Sequence, residues 1–277
     1  MEREIRVTKQ VMKVVTPKYQ AEAGCAAEGE FRIADRSSEV ERTSRDELRQ
    51  LIRSCPIPEH ERHAHLGLFV NRRLLARMLF MHEMYTKIIN VPGVVMEFGV
   101  RWGQNLALFE CLRGIYEPYN YTRKIVGFDT FSGFLGTGNE DGSAEIVQEG
   151  AFSVTPGYEQ YLSRLLDYHE SESPVSHIKK HELVKGDAGS TIRDYLDAHQ
   201  ETIISLAYFN MDIYRPTVKC LEAIKERLTK GSVIGFDELN CPHFPGETLA
   251  LRKVFGLDNC RLVRDPHNPY PAYFVID

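Results

Sequence analysis

Apolar and polar positions along the chain change texture twice. Residues 1 to about 45 show no sustained periodicity, and AEAGCAAEGEFRIADRSSEVERTSR is small and charged, so this stretch reads as a poorly patterned arm. At Ser44-Arg-Asp-Glu47, ahead of LRQLI, the spacing matches a capping box, in which Ser accepts an amide of the first turn and Glu reaches back. A helix is expected there. Residues 66–89, LGLFVNRRLLARMLFMHEMYTKII, set apolar side chains at helical intervals with Arg, His and Lys between them, and Pro92 closes the segment. Residues 46–92 are therefore expected to be helical, and plain amphipathic packing explains their side chains.

From residue 93 the pattern becomes short β-branched runs separated by helical stretches. Strands are expected at 94–100, 124–129, 182–185, 205–211, 232–236 and 272–276. Helices are expected near 103–116, 158–169, 190–199, 215–229 and 247–255. Runs that are apolar on both faces, such as VIGF, indicate a parallel sheet covered on both sides: a doubly wound α/β core over 93–277, with room for an antiparallel member after Cys260.

Composition narrows the class. With 43% hydrophobic and 26% charged residues in 277, the chain is neither disordered nor a disulfide scaffold. A net charge of -5 without a basic block argues against nucleic acid as a partner. No apolar run approaches the roughly 18 residues of a membrane span, and the N-terminus lacks a signal-peptide core, so a cytoplasmic location away from membranes is expected. Six cysteines without a CxxC pair read as reduced packing residues.

In such a sheet ligands bind beyond the carboxyl ends of the strands, so the strand ends carry the chemistry. The first ends MEFGVRWGQN, where Glu97, Gly99 and Gly103 lead into a helix whose first amides are unpaired. The spacing lacks the GxGxxG of pyrophosphate sites, which disfavours a nicotinamide or flavin oxidoreductase. The second ends GFDTFSGF, placing Asp129 either as a turn cap or as acceptor of both ribose hydroxyls. A glycine turn followed by a strand-end acid without a diphosphate motif points to S-adenosylmethionine. In VKGDAGS, Asp187 is either a helix N-cap or, with Ala188, a contact to an adenine edge. Asn210, Asp212, Asp237 and Glu238, in AYFNMDIYRPT and VIGFDELN, would converge as oxygen donors suited to Mg²⁺.

These segments together resemble the macrocin O-methyltransferase family of sugar O-methyltransferases. HLGLFVNRRLLARMLFMHEMY and FPGETLALRKVFGLD look closer still to its calicheamicin branch. The resemblance covers residues from about 47 to the end. It implies a class I methyltransferase fold, Rossmann-like, with an N-terminal helical lid and S-adenosylmethionine as donor, often with Mg²⁺. It places Glu97, Gly99, Arg101 and Gly103 at the methionine end of the donor, Asp129 on the ribose, Thr130 and Phe131 beside the adenine, and Asp187 and Ala188 at its edge. The family's DxD in the fourth strand becomes Asn210-Met-Asp212 here, so the metal would rest on Asp212, Asp237 and Glu238, with Asn210 turned to the cofactor.

The reaction expected is an in-line attack of a sugar hydroxyl on the sulfonium methyl, with Asp212 as base and His243 as the second choice, or as an exposed loop residue. Tyr214 is either a hydrogen-bond donor to the acceptor or an aromatic packing residue. A small-molecule glycoside is the expected partner, in a homo-oligomeric enzyme. The alternatives are a donor-binding accessory protein, which the missing acid at Asn210 motivates, or a metal-independent methyltransferase of another small acceptor.

Overall fold

The computed structural model describes residues 38–277; the rest of the expected arm lies outside the described residues. Helix α1 (Glu39–Arg53) starts inside what the sequence reads as arm. Its capping box is built by Ser38 and Glu41 rather than Ser44 and Glu47: the Glu41 N–H donates to Ser38 Oγ at 3.3 Å and the Ser38 N–H to Glu41 Oε2 at 2.9 Å. The same serine-to-glutamate chemistry simply operates six residues earlier. A short helix α2 (Glu59–Arg62) and a 3₁₀ turn (His63–Phe69) follow. The long helix expected over 66–89 breaks at Asn71, whose side chain accepts from Arg73 and Leu74 N–H at 3.0 Å and opens α3 (Arg72–Ile88).

The core alternates as the sequence predicts: β1 (Val94–Phe98), α4 (Gln104–Tyr116), β2 (Ile125–Asp129), α5 (Tyr158–Ser171), β3 (His181–Lys185), α6 (Ala188–Ala198), β4 (Ile204–Phe209), α7 (Tyr214–Ile224), β5 (Leu228–Phe236), α8 (Gly246–Val254), β6 (Val263–Arg264) and β7 (Ala272–Val275). The sheet order is β3-β2-β1-β4-β5-β7-β6. Strands β1 to β5 are parallel, and β7 runs antiparallel against β5 and β6. The switch point lies between β1 and β4, where the strand order runs outward in opposite directions.

Strand side chains alternate between two cores. Met96, Phe98, Phe209 and Ile234 pack under α6, α7 and α8, while Val95, Ile125, Leu206 and Val233 pack under α3, α4 and α5. On α3 the stripe Phe80, Met81, Met84, Tyr85 and Ile88 is buried, so this helix forms a wall of the second core. By contrast, α1 and α2 bury no residue.

One register feature sets up the site. Phe128, Phe98, Phe209 and Phe236 stand side by side on β2, β1, β4 and β5, with centroids 5.0, 4.8 and 5.2 Å apart along the row. Offset stacking of this kind adds to burial and penalises any slip of register. The residues that follow these four rings, Gly99, Asp129, Asn210 and Asp237, therefore emerge in one layer above the sheet.

Candidate active site

A cavity of ≈ 370 Å³ lies on that layer, bounded by the turn from Gly99 to Asn105, by Asp129 and Thr130, by Asp187 and Ala188, and by Asn210, Asp212, Asp237 and Glu238. The structure thus brings together most of the residues expected from sequence. Gly99 has φ 89°, and a Cβ there would fall 2.1 Å from the Asn210 carbonyl oxygen, so only glycine lets β1 and β4 close this tightly. Gly103 caps α4 in the left-handed region at φ 77°.

Asp129 is held from two sides. Its Oδ2 accepts the Arg101 backbone N–H at 2.7 Å and its Oδ1 accepts the Phe131 N–H at 2.5 Å. Both donors sit at positive φ, 49° and 56°, a strained conformation for non-glycine residues that the surroundings must enforce. Each carboxylate oxygen keeps a further lone pair for a ligand hydroxyl. The Arg101 guanidinium lies over the Phe152 ring at 4.8 Å, on the loop that folds across the β4 and β5 ends through Phe134, Ile146 and Phe244.

Asp187 caps α6, accepting from the Gly189 N–H at 3.2 Å and Ser190 Oγ at 2.9 Å, while also lining the cavity. Three expected site residues are placed elsewhere. Glu97 is fully buried below the cavity, taking 2.7 Å from the Asn105 amide with its Oε2 unpartnered, and burial lifts its carboxyl to about 8. The Phe131 ring, on a residue at positive φ, joins the core cluster that holds Val100 and Leu162. His243 points an unpartnered Nε2 into protein, and the adjacent Phe244 lines the cavity in its place.

The acidic edge is organised by two residues that the sequence reading passed over. Arg77 of α3 donates through one nitrogen to both oxygens of Asp237, at 2.7 and 2.8 Å, and the buried Tyr208 hydroxyl donates to the same carboxylate at 2.5 Å. Glu247 of α8 is fully buried and accepts three backbone N–H groups: Met211 at 3.1 Å, Asp212 at 3.2 Å and Glu238 at 3.0 Å. It fixes the ends of β4 and β5 against each other. Burial and the nearby Asp212 raise its pKa well above the carboxylate range.

Asp212, at φ 62°, faces the cavity. Burial and then repulsion from Glu238 and Asp237 push its pKa well up, against the pull of Arg101 and Arg77. Glu238 rises to about 7 for the same reasons, and its Oε2 is buried without a partner. The three expected metal ligands are not equivalent, because Asp237 is committed to Arg77 and Tyr208. Among the described residues they do not gather as a three-acid cage. The three groups whose ligand atoms lie within 4.8 Å of one another are Glu110, Glu170 and His181, where Arg113 at 3.0 and 3.1 Å already supplies positive charge. A cation at the cavity would fall to Asp212, to the orphaned oxygen of Glu238 and to the Asn210 amide oxygen.

Comparison with solved structures fixes the relationship. The crystal structure of the calicheamicin methyltransferase CalS11 matches with 44% identity over 87% of this chain and 94% of that one, at a TM-score of 0.85. The chain belongs to the sugar O-methyltransferase family, on its calicheamicin branch. The apo structure of CalS11, described as a TDP-rhamnose 3'-O-methyltransferase, matches at 42% identity over 87% and 96% of the two chains, with a TM-score of 0.77. The O-methyltransferase NovP shares the fold at 17% identity, 73% and 79% coverage and a TM-score of 0.56. No family model and no curated protein matches the chain. The chain is an S-adenosylmethionine-dependent O-methyltransferase, and no helix among the described residues is long and apolar enough to cross a membrane.

Proposed function

We propose that the enzyme methylates a hydroxyl of a sugar, carried as a sugar nucleotide or glycoside in natural-product assembly. The observation that carries this reading is one cavity lined both by a ribose-type acceptor, Asp129, and by an acid, Asp212. The match to CalS11 above 40% identity supports the sugar as acceptor.

The donor would place its ribose hydroxyls on Asp129, its adenine between Thr130 and Asp187-Ala188, and its methionine end over Gly99 and Gly103. Its sulfonium then enters an acid-rich space. That positive charge pulls the raised pKa of Asp212 back down and favours the carboxylate form that acts as base. The acceptor hydroxyl gives its proton to the Asp212 carboxylate as its oxygen forms the new O–CH₃ bond. The C–S bond breaks with its electron pair left on sulfur, giving the methyl ether, neutral thioether and protonated Asp212. Charge is created nowhere in this step, since the sulfonium vanishes as the carboxylate is neutralised. In-line positioning supplies roughly 7 to 11 kcal/mol of barrier reduction, and the base a further 10² to 10⁴-fold. A divalent cation on Asp212, Glu238 and Asn210, when bound, would lower the pKa of the acceptor hydroxyl.

Methyl-labelled donor incubated with TDP-rhamnose and with a finished glycoside tests the reading by mass spectrometry. A labelled sugar is expected; label absent from both acceptors overturns the sugar assignment.

A further inference from the structure

A second cavity of ≈ 230 Å³ opens beside the donor cavity, and Arg77, Asp237 and Glu238 line both. The residues assigned to the donor, Gly99, Asp129, Asp187 and Ala188, line only the larger space. The smaller one is therefore left for another molecule that must still reach the acids. Its far side is the loop ahead of β7, and this loop is built rather than loose. Buried Asp265 accepts the His267 N–H at 2.8 Å and the Asn268 amide at 2.5 Å, while its own N–H donates to the Pro271 carbonyl at 2.8 Å. That donation fixes the amide of Asn268 and leaves its oxygen as an acceptor.

The chemistry of this space is mixed in a particular way. Rings of Phe80 and Tyr270 offer apolar faces, while Asn268, Asp237 and Glu238 offer acceptors at separate points, and exposed Arg73 stands on α3 at the wall. A purely fatty ligand would give no partner to the orphaned oxygen of Glu238 or to the Asn268 amide oxygen. A polyhydroxylated ring satisfies both halves, with C–H faces on the rings and hydroxyls on the acceptors.

We propose that the smaller cavity seats the sugar ring of the acceptor, presenting its reacting hydroxyl past Glu238 to Asp212, with Arg73 meeting a phosphate attached to that sugar. This deepens the sugar reading above and rests on it.

Calorimetry of TDP-rhamnose and of methyl rhamnoside, each titrated into enzyme saturated with S-adenosylhomocysteine, tests the placement. Asn268→Ala should weaken both sugars at least 10-fold. Arg73→Glu, an exposed change that leaves the fold intact, should weaken TDP-rhamnose 10-fold or more and methyl rhamnoside less than threefold. The affinity for S-adenosylhomocysteine should be unchanged in both variants, which shows that they are folded. If both variants bind TDP-rhamnose as the unaltered enzyme does, the placement is overturned while the sugar reading stands. If the unaltered enzyme binds neither sugar and methylates neither, the sugar reading itself fails and the placement falls with it.

Discussion

The Phe98 and Phe209 rings stack at 4.8 Å, and the two residues that follow them meet so closely that a single added carbon on Gly99 would lie 2.1 Å from the Asn210 carbonyl. Packing beneath the sheet edge and the shape of the Gly99 turn are thus one constraint. Gly99→Ala must either move β4 or unwind the turn. It should lower stability by more than about 2 kcal/mol, combining a left-handed backbone with a backbone clash, and should abolish donor binding. Thermal denaturation and calorimetry with S-adenosylhomocysteine check both.

Asp129 is oriented before any ligand arrives, by the N–H groups of Arg101 and Phe131. On the proposed donor placement Asp129→Ala loses the ribose acceptor and releases two strained residues, so donor affinity should fall at least 100-fold. Asp129→Asn should be nearly as damaging, because its NH₂ would face one of those backbone donors. Titration calorimetry of both variants measures the loss.

Glu247 touches neither cavity, yet three amides of the β4 and β5 ends depend on it. Glu247→Ala should cost about 3 kcal/mol or more in stability, since three buried donors lose their acceptor. Urea unfolding gives that value, and residual folded enzyme should show a lower kcat because Asp212 is no longer held.

Much of this site can be read from the chain, for a physical reason. Each of these strand ends writes Phe followed by a cavity-lining residue, as in Phe98-Gly99, Phe128-Asp129, Phe209-Asn210 and Phe236-Asp237, and a parallel sheet puts equivalent ends together. Arg77 and Glu247 were hidden because each lies on a helix whose period explains it as ordinary amphipathic surface. Their partners are 160 residues away for Arg77 and 36 and 9 for Glu247, and only the folded sheet makes them neighbours. His243 and Phe131 are adjacent in sequence to cavity residues yet lie outside the cavity lining, Phe131 at positive φ with its ring in the core.

The acid cluster makes donor binding depend on pH with a definite sign. Glu238 is raised to about 7, so it carries a proton in the donor-free enzyme at mildly acidic pH, and burial and the neighbouring acids shift Asp212 in the same direction. A sulfonium favours their ionised forms. S-adenosylmethionine affinity should therefore rise as pH increases through about 7, whereas neutral S-adenosylhomocysteine should gain little. Parallel calorimetric titrations between pH 6 and pH 9 read the ratio; equal slopes for the two ligands would remove Asp212 and Glu238 from the neighbourhood of sulfur.

The central claim is that Asp212 takes the proton of the acceptor hydroxyl. The most direct measurement is single-turnover methyl transfer by Asp212→Asn with saturating donor and TDP-rhamnose, alongside its S-adenosylhomocysteine affinity. The account predicts a rate lower by roughly 10² to 10⁴-fold with donor-product affinity within threefold of the unaltered enzyme. A rate within threefold of the unaltered enzyme would contradict it.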